Sequence, residues 1–278
     1  MSCEIPAAYM IDALHLNRTN PFLLTPYPSP CPPYPSKMAT TWHTAIVRRT
    51  ASLAPEVRAF YLEVPEMERF DFTPGQFITF DLPVGEKRLQ RWRSYSIAGC
   101  PGHDNTFELC IVRAQPGLGS RYLFEEVREG TELRFKGPEG SFVLPPELDR
   151  DIVMICTGTG IAPFRSMIQA IRRSGQPHRR IHLIFGARTE ADILYRSEFE
   201  ALQSEMPGFS WDVALSRQPD WHGFRGYVHQ IYLSAYAHPR PDVTFYLCGW
   251  SAMVDEAVAN LTQKLGYSKD QVRMELYG

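Results

Sequence analysis

Polar and apolar positions alternate in short runs over residues 43–48, 57–64, 76–82, 93–99, 106–113 and 131–136, the period of half-buried β-strands. Turn signals such as Thr73-Pro74-Gly75 separate them. In 106–113 the pattern places Phe107, Leu109 and Ile111 on one face. With one short helix over 121–127 before the last run, these six strands predict a small antiparallel barrel. After Pro145-Pro146 the pattern changes. Residues 151–156 and 181–185 are continuous apolar runs, as in strands buried on both faces of a parallel sheet. Further strands are expected at 210–215 and 243–247, and a helix over 192–206. Spacing of three and four joins Ile161, Phe164, Met167, Ile168 and Ile171 in one helix. It also joins Met253, Val254, Ala257, Val258, Leu261 and Leu265 in another, which Gly266 stops. The tail 272–278 alternates, so Val272, Met274 and Leu276 are expected inward, with Arg273, Glu275 and Tyr277 on the opposite face. Strands and helices in succession imply an open parallel sheet following the barrel.

Composition bounds this picture. At 278 residues the chain can hold two domains with a full core each. A formal net charge of −2 gives no electrostatic case for a nucleic-acid partner. Charged residues interrupt every apolar run well short of the roughly 18 residues of a membrane span. The six cysteines, Cys3, Cys31, Cys100, Cys110, Cys156 and Cys248, form no CxxC pair and no cluster or zinc spacing, so no metal is expected. Dispersed thiols fit a reducing cytoplasm better than a disulfide framework. Residues 1–38 differ, with prolines from Pro21 to Pro35 that favour a disordered, extended chain. That segment lacks the organisation of a secretory signal. It reads either as a proline-rich ligand or as sequence upstream of a true start at Met38, and the second is the expectation.

Candidate chemistry falls at the ends of the strands. Arg93-Ser94-Tyr95-Ser96-Ile97-Ala98-Gly99 sets a guanidinium, a phenol and hydroxyls along one strand, with Arg93, Tyr95 and Ile97 sharing a face. That set suits a flavin dinucleotide's pyrophosphate, ring and N5; an exposed edge strand would carry the same pattern. Pro116-Gly117-Leu118-Gly119-Ser120 leads into the short helix, where glycines allow close backbone approach and the helix N-terminus attracts anions. An ordinary capped turn reads the same way. Thr157-Gly158-Thr159-Gly160-Ile161-Ala162-Pro163 joins an apolar strand to a helix, a phosphate cradle in which Pro163 stands where a third glycine would be. An acid at the end of the next strand would hold a ribose 2′-hydroxyl, but Arg188 is there. Ser216, Arg217 and Arg225 would suit a 2′-phosphate, and each taken singly also fits solvated surface.

In this order, from about Thr41 to the C-terminus, the motifs resemble those of the ferredoxin–NADP(+) reductase superfamily. The resemblance implies a two-domain fold: an antiparallel Greek-key β-barrel that binds FAD (39–147), followed by an α/β parallel-sheet nucleotide-binding domain (148–278). It implies that Arg93 binds the FAD pyrophosphate, Tyr95 packs on the isoalloxazine and Ser96 lies near N5. Gly117, Gly119 and Ser120 match the family's flavin-phosphate turn and Gly137-Pro138-Glu139-Gly140 its barrel-closing loop, and Arg113 is counted among the cofactor-binding residues. Thr157, Gly158 and Gly160 match the pyridine-nucleotide turn, and Cys248-Gly249 the motif beside the nicotinamide. Glu275-Leu276-Tyr277-Gly278 is similar to the Glu-x-Tyr end of plant-type members, with one extra glycine. By that likeness Tyr277 covers the flavin as a gate, while Ser96 and Glu275 relay a proton and Cys248 packs beside the nicotinamide.

The function implied is hydride transfer between NADPH and FAD, with single electrons exchanged with a separate ferredoxin- or flavodoxin-like carrier. NADPH is expected from Ser216, Arg217 and Arg225, with NADH possible. Alternatives are an NADH-dependent reductase component of an oxygenase, a diaphorase-type flavin reductase, or a non-catalytic flavin- and nucleotide-binding regulatory subunit. The first of these usually carries a fused ferredoxin domain and the last a C-terminal cysteine cluster, and neither feature is found here.

Overall fold

A computed structural model describes residues 41–277, the side chains through Leu276. The proline-rich stretch, Met38, Cys3, Cys31, Gly278 and the side chain of Tyr277 lie outside the described residues.

Alternation builds the first half. Strands β1 (His43–Ala54), β2 (Val57–Glu63), β3 (Phe77–Asp81), β4 (Trp92–Ser96), β5 (Thr106–Val112) and β6 (Glu132–Glu139) form one antiparallel sheet ordered β4-β3-β6-β1-β2-β5. The two edge strands meet where Ile97, just past β4, bridges Leu109 of β5, which closes the sheet into a barrel. Closure removes the exposed edges that an open sheet would present. Phe107, Leu109 and Ile111 all point into the barrel core, with Phe60, Phe70, Phe80 and Phe135. Two helices lie outside the ladder: α1 (Arg88–Arg91), which the sequence pattern does not predict, and α2 (Leu118–Glu125).

In the second half, β7 (Asp151–Thr157), β8 (Ile181–Ala187), β9 (Phe209–Leu215), β10 (Phe224–Arg225), β11 (Val243–Trp250) and β12 (Val272–Tyr277) form a parallel sheet ordered β10-β9-β8-β7-β11-β12. Helices α3 (Ile161–Ser174) and α4 (Arg196–Glu205) cover one face. The other lies under α5 (His229–Ala235) and α6 (Ser251–Ala259). Both faces are therefore dry, which is why 151–156 and 181–185 show no alternation. The core under α3 is shared with the barrel: Ala54, Val57, Ala98, Cys110 and Phe142 pack in one cluster with Phe164 and Met167.

Three expectations are corrected. The helix expected over 192–206 starts at Arg196, because Thr189 and Asp192 close a separate turn and Tyr195 adopts a left-handed backbone (φ 54°). The expected helix stripe ending at Leu265 is α6 followed by a π-turn at Asn260–Lys264. In the tail, Met274 and Leu276 are 54% and 51% exposed rather than inward. β12 is the sheet's outer strand, and the apolar cluster under α6 reaches Val272 but includes neither residue.

Candidate active site

On β4, alternation is kept and decides what each side chain meets. Ser94 and Ser96 turn out of the barrel, Ser94 to Thr79 (2.9 Å) and Ser96 to Glu275 of β12 (2.9 Å). Tyr95 packs against the barrel core, its ring 5.9 Å from that of Phe80, and burial pushes its phenol pKa up. Arg93 donates to the carbonyls of Leu89 (2.8 Å) and Trp92 (2.7 Å) and makes no ion pair among the described residues. Its side chain lies along the start of α2, so close that a Cβ on Gly119 would stand 2.8 Å from Arg93 Cγ. An unneutralised, half-buried guanidinium beside a helix N-terminus is a place for an anion.

Two of the residues grouped with Arg93 are otherwise engaged. Arg113 pairs with Glu125 at the far end of α2, so it tethers that helix instead of standing as a free charge. Ser120 is buried and does not cap α2, whose N-cap is Gly117; its hydroxyl accepts from the Ala114 N–H (3.0 Å) and shapes the turn. The amides of Gly119 and Ser120, at the second and third positions of the helix, remain without intrahelical acceptors.

The strand order of the parallel sheet reverses between β7 and β11, which opens a crevice at their carboxyl ends. Thr157, the turn Gly158–Gly160 and the start of α3 form one wall. Cys248 and Gly249 form the other, with Cys248 buried and in register with both Cys156 and Glu275. The walls touch. Thr157 Oγ1 accepts from the Trp250 N–H (3.2 Å), and a Cβ on Gly160 would stand 2.4 Å from the Cys248 carbonyl oxygen. A Cβ on Gly249 (φ +132°) would stand 2.7 Å from Thr157 Oγ1. Gly160→Ala therefore forces backbone apart at the crevice. Its expected outcome is a lower melting temperature and at least tenfold weaker nucleotide binding, read by thermal melts and equilibrium titration.

Glu275 reaches across from this crevice to the barrel. Burial raises its pKa above the usual carboxylate range, while the hydrogen bond from Ser96 opposes that rise. At the other end of the same sheet edge, Ser216 and Arg217 follow β9 and lie beside Ala187 and Arg188 at the end of β8, joined by two backbone hydrogen bonds of 3.1 and 2.8 Å. Arg225 of β10 is in register with Leu215. Ser216 Oγ donates to the Ala187 carbonyl (3.3 Å) and Arg225 to that of Pro219 (3.1 Å), whereas Arg217 is exposed with no ion pair among the described residues. The structure thus brings Ser96, Cys248 and Glu275 together, and Ser216, Arg217 and Arg225 together elsewhere. A cavity of about 530 Å³ lined by Arg180, His182, Ser210 and Tyr236 lies at the amino ends of β8 and β9 and involves none of them.

Sequence reasoning passed over Arg165, which binds the barrel to α3 and α4. Its barrel partner Glu108 had one visible signal, a lone charge within the apolar run 107–111.

Two family models match these halves: an oxidoreductase FAD-binding domain over residues 44–144 and an oxidoreductase NAD-binding domain over 154–259. The residues present fit both groups, since Arg93 and the start of α2 offer an anion site and the β7–β11 crevice a glycine-lined one. Fold and site thus define an oxidoreductase that uses FAD and NAD(P)H. Ferredoxin–NADP reductase B of Sorangium cellulosum is 35% identical over 233 residues, 81% of this chain and 93% of that one. A component of the Na(+)-translocating NADH-quinone reductase of Yersinia enterocolitica is 32% identical across 78% of this chain, which spans 55% of that component. A crystal structure of a cytochrome P450 reductase from Amycolatopsis matches with a TM-score of 0.75 at 26% identity, over 86% of this chain and 71% of that one. The chain belongs to the ferredoxin–NADP(+) reductase superfamily. No helix of the described residues is long and apolar enough to cross a membrane.

Proposed function

We propose that this chain moves electrons between NADPH and a separate one-electron carrier protein of the ferredoxin or flavodoxin type, with FAD held by residues 39–147 and the nucleotide by 148–278. The observation that carries this reading is the Ser96–Glu275 hydrogen bond, which joins a hydroxyl of one half to a carboxyl of the other in register with Cys248. Bound FAD supplies the exchange of a two-electron hydride for single electrons. Arg93 and the first amides of α2 would hold its pyrophosphate, Gly117 and Gly119 would let the chain approach it, and Tyr95 would pack against the ring. Ser96 and Glu275 share a proton between Oγ and Oε2 and would exchange it with flavin N5 once FAD is bound. Thr157, Gly158 and Gly160 cradle the nucleotide phosphates, and buried Cys248 fills the space beside the nicotinamide.

Arg217, with Ser216 and Arg225 beside it, reads the 2′-phosphate. Arg217→Ala is expected to lower the ratio of catalytic efficiencies for NADPH over NADH by about tenfold, the worth of one charge-assisted contact. An unchanged ratio removes Arg217 from that role. On the carrier side, Lys87, Arg88 and Leu89 at the start of α1 and Arg121 on α2 are exposed, Leu89 to 86%. Exposed basic charge with an apolar side chain beside it suits an acidic carrier. Reversing one charge, Arg88→Glu, should slow reduction of ferredoxin or flavodoxin several-fold at low salt and leave NADPH oxidation with ferricyanide unchanged. Stopped-flow reduction of each purified carrier by the FAD-loaded protein tests the whole reading. Rapid NADPH oxidation by ferricyanide, with neither carrier reduced, would sink the carrier assignment. The likeness to a cytochrome P450 reductase supports a second reading, an NADH-dependent reductase component serving an oxygenase. A preference for NADH in the same assay favours it.

A further inference from the structure

One arginine holds together the strand end that carries Ser96 and the helix that begins at the glycine turn. Arg165 lies in the second turn of α3, a few residues past Gly160. Its Nη1 donates to Glu108 Oε2 of β5 (2.8 Å) and to the carbonyl of Ala98 (3.0 Å), two residues beyond Ser96. Its Nε and Nη2 donate to Glu198 of α4 at 2.8–3.0 Å. The guanidinium lies 4.2 Å from the centre of the Tyr195 ring, and the Tyr195 hydroxyl donates to the second oxygen of Glu108 (3.0 Å). The Arg165 and Glu108 side chains are 15% and 10% exposed, so water screens this pair weakly.

The connections on the barrel side are as tight. The Ala98 and Gly99 amides both donate to the Glu108 carbonyl, at 2.8 and 3.3 Å. Glu108 therefore grips the segment after β4 with its backbone and Arg165 with its side chain. Tyr195 holds a left-handed backbone that a tyrosine rarely adopts, and this conformation sets its ring under the guanidinium and its hydroxyl against Glu108. Glu198 is held in turn by Gln169, a further turn along α3.

We propose that Arg165 is a positioning residue for hydride transfer: by clasping Ala98 and Glu108 it fixes the distance between Ser96 and the Gly158–Gly160 turn. The inference rests on the hydride-transfer reading above. Transfer between two rings held by different halves of a chain depends steeply on their separation, and a displacement of about 1 Å costs on the order of a hundredfold in rate. A guanidinium with planar, forked donors can serve Glu108, Ala98 and Glu198 together, whereas an ammonium is a point charge on a flexible stem. The clasp acts through geometry and touches no reacting atom.

Two variants test it, Glu108→Gln, which keeps the shape of the barrel partner, and Arg165→Lys, which keeps the charge. Both are measured as the full chain, with and without FAD. In each, amide exchange is expected to quicken about tenfold or more in peptides covering 96–100 and 157–161 while the remainder of the barrel keeps its protection. The limiting rate of flavin reduction at saturating NADPH is expected to fall about tenfold or more, with the nucleotide dissociation constant changed less than threefold. The double variant should be little worse than either single one, since both break the same contact. A lower melting temperature with an unchanged limiting rate would make Arg165 a stabilising residue alone and overturn the proposal, as would unchanged exchange at 96–100 in both variants. Flavin in the unaltered protein that neither NADPH nor NADH reduces would instead defeat the proposed function, and the exchange measurement would still decide whether the clasp exists.

Discussion

Glu275→Gln is expected to cut turnover with NADPH by about a hundredfold, the lower range for loss of a general acid–base group, while the protein remains folded and binds FAD. The amide preserves shape and its oxygen still accepts the Ser96 hydrogen bond, so what is removed is the ionisable proton. Because burial raises the Glu275 pKa, the unaltered enzyme should show an ionisation above the usual carboxylate range in its turnover profile, and the Gln variant should lack it. Stability should move the other way. A carboxyl whose pKa is raised on folding contributes fully below its unfolded pKa, and that contribution is lost as pH rises through the folded value. At neutral pH the buried carboxylate is thus a cost, and Glu275→Gln should melt no lower than the parent and, if anything, slightly higher. Turnover profiles and thermal melts at matched pH check both halves of the expectation. A variant that loses activity and stability together would place Glu275 in packing instead of proton transfer.

Arg93→Gln is expected to weaken FAD binding by roughly ten- to a hundredfold, from the 1.5–3 kcal/mol typical of a hydrogen bond to a charged group. The guanidinium has no carboxylate partner among the described residues, so its removal leaves no orphaned ion behind. What it does leave are the solvent-facing Leu89 carbonyl and the half-buried Trp92 carbonyl at the end of α1. The loss should therefore appear in flavin affinity, measured by equilibrium fluorescence titration, and hardly at all in the melting temperature of the flavin-free chain. Affinity within threefold of the parent would place the anion elsewhere.

Much of this architecture was legible in the sequence because both sheets write their burial into the chain. Strand β1 alternates since one face is wet, with Ala45 and Val47 buried between exposed Thr44 and Arg48, and β7 and β8 are unbroken apolar runs since neither face is. The elements that escaped notice are short. α1 spans four residues and α5 seven, too few for a period of 3.6 to repeat. The tail misled because alternation states which residues share a face, and Met274 and Leu276 do share one. It cannot say whether a neighbour covers that face, which depends on where α6 ends. At the candidate site, Arg93, Ser96, Gly160 and Glu275 stand in local motifs that the sequence displays. The pairing of Arg113 with Glu125 on the next helix is not displayed there. Arg165 was also unreadable, since its partners lie 57 and 33 residues away and meet it through the packing of whole elements.

The cluster that joins Ala54, Val57, Ala98, Cys110 and Phe142 to Phe164 and Met167 bears on how the molecule comes apart. These side chains belong to no single half: parted, each half would turn an oily surface to water, and Glu108 would lose its counterion Arg165, which keeps Glu198. Unfolding of the barrel and of the parallel sheet is then expected to be one cooperative event, and a fragment cut near residue 148 would inherit a scar in place of a finished exterior.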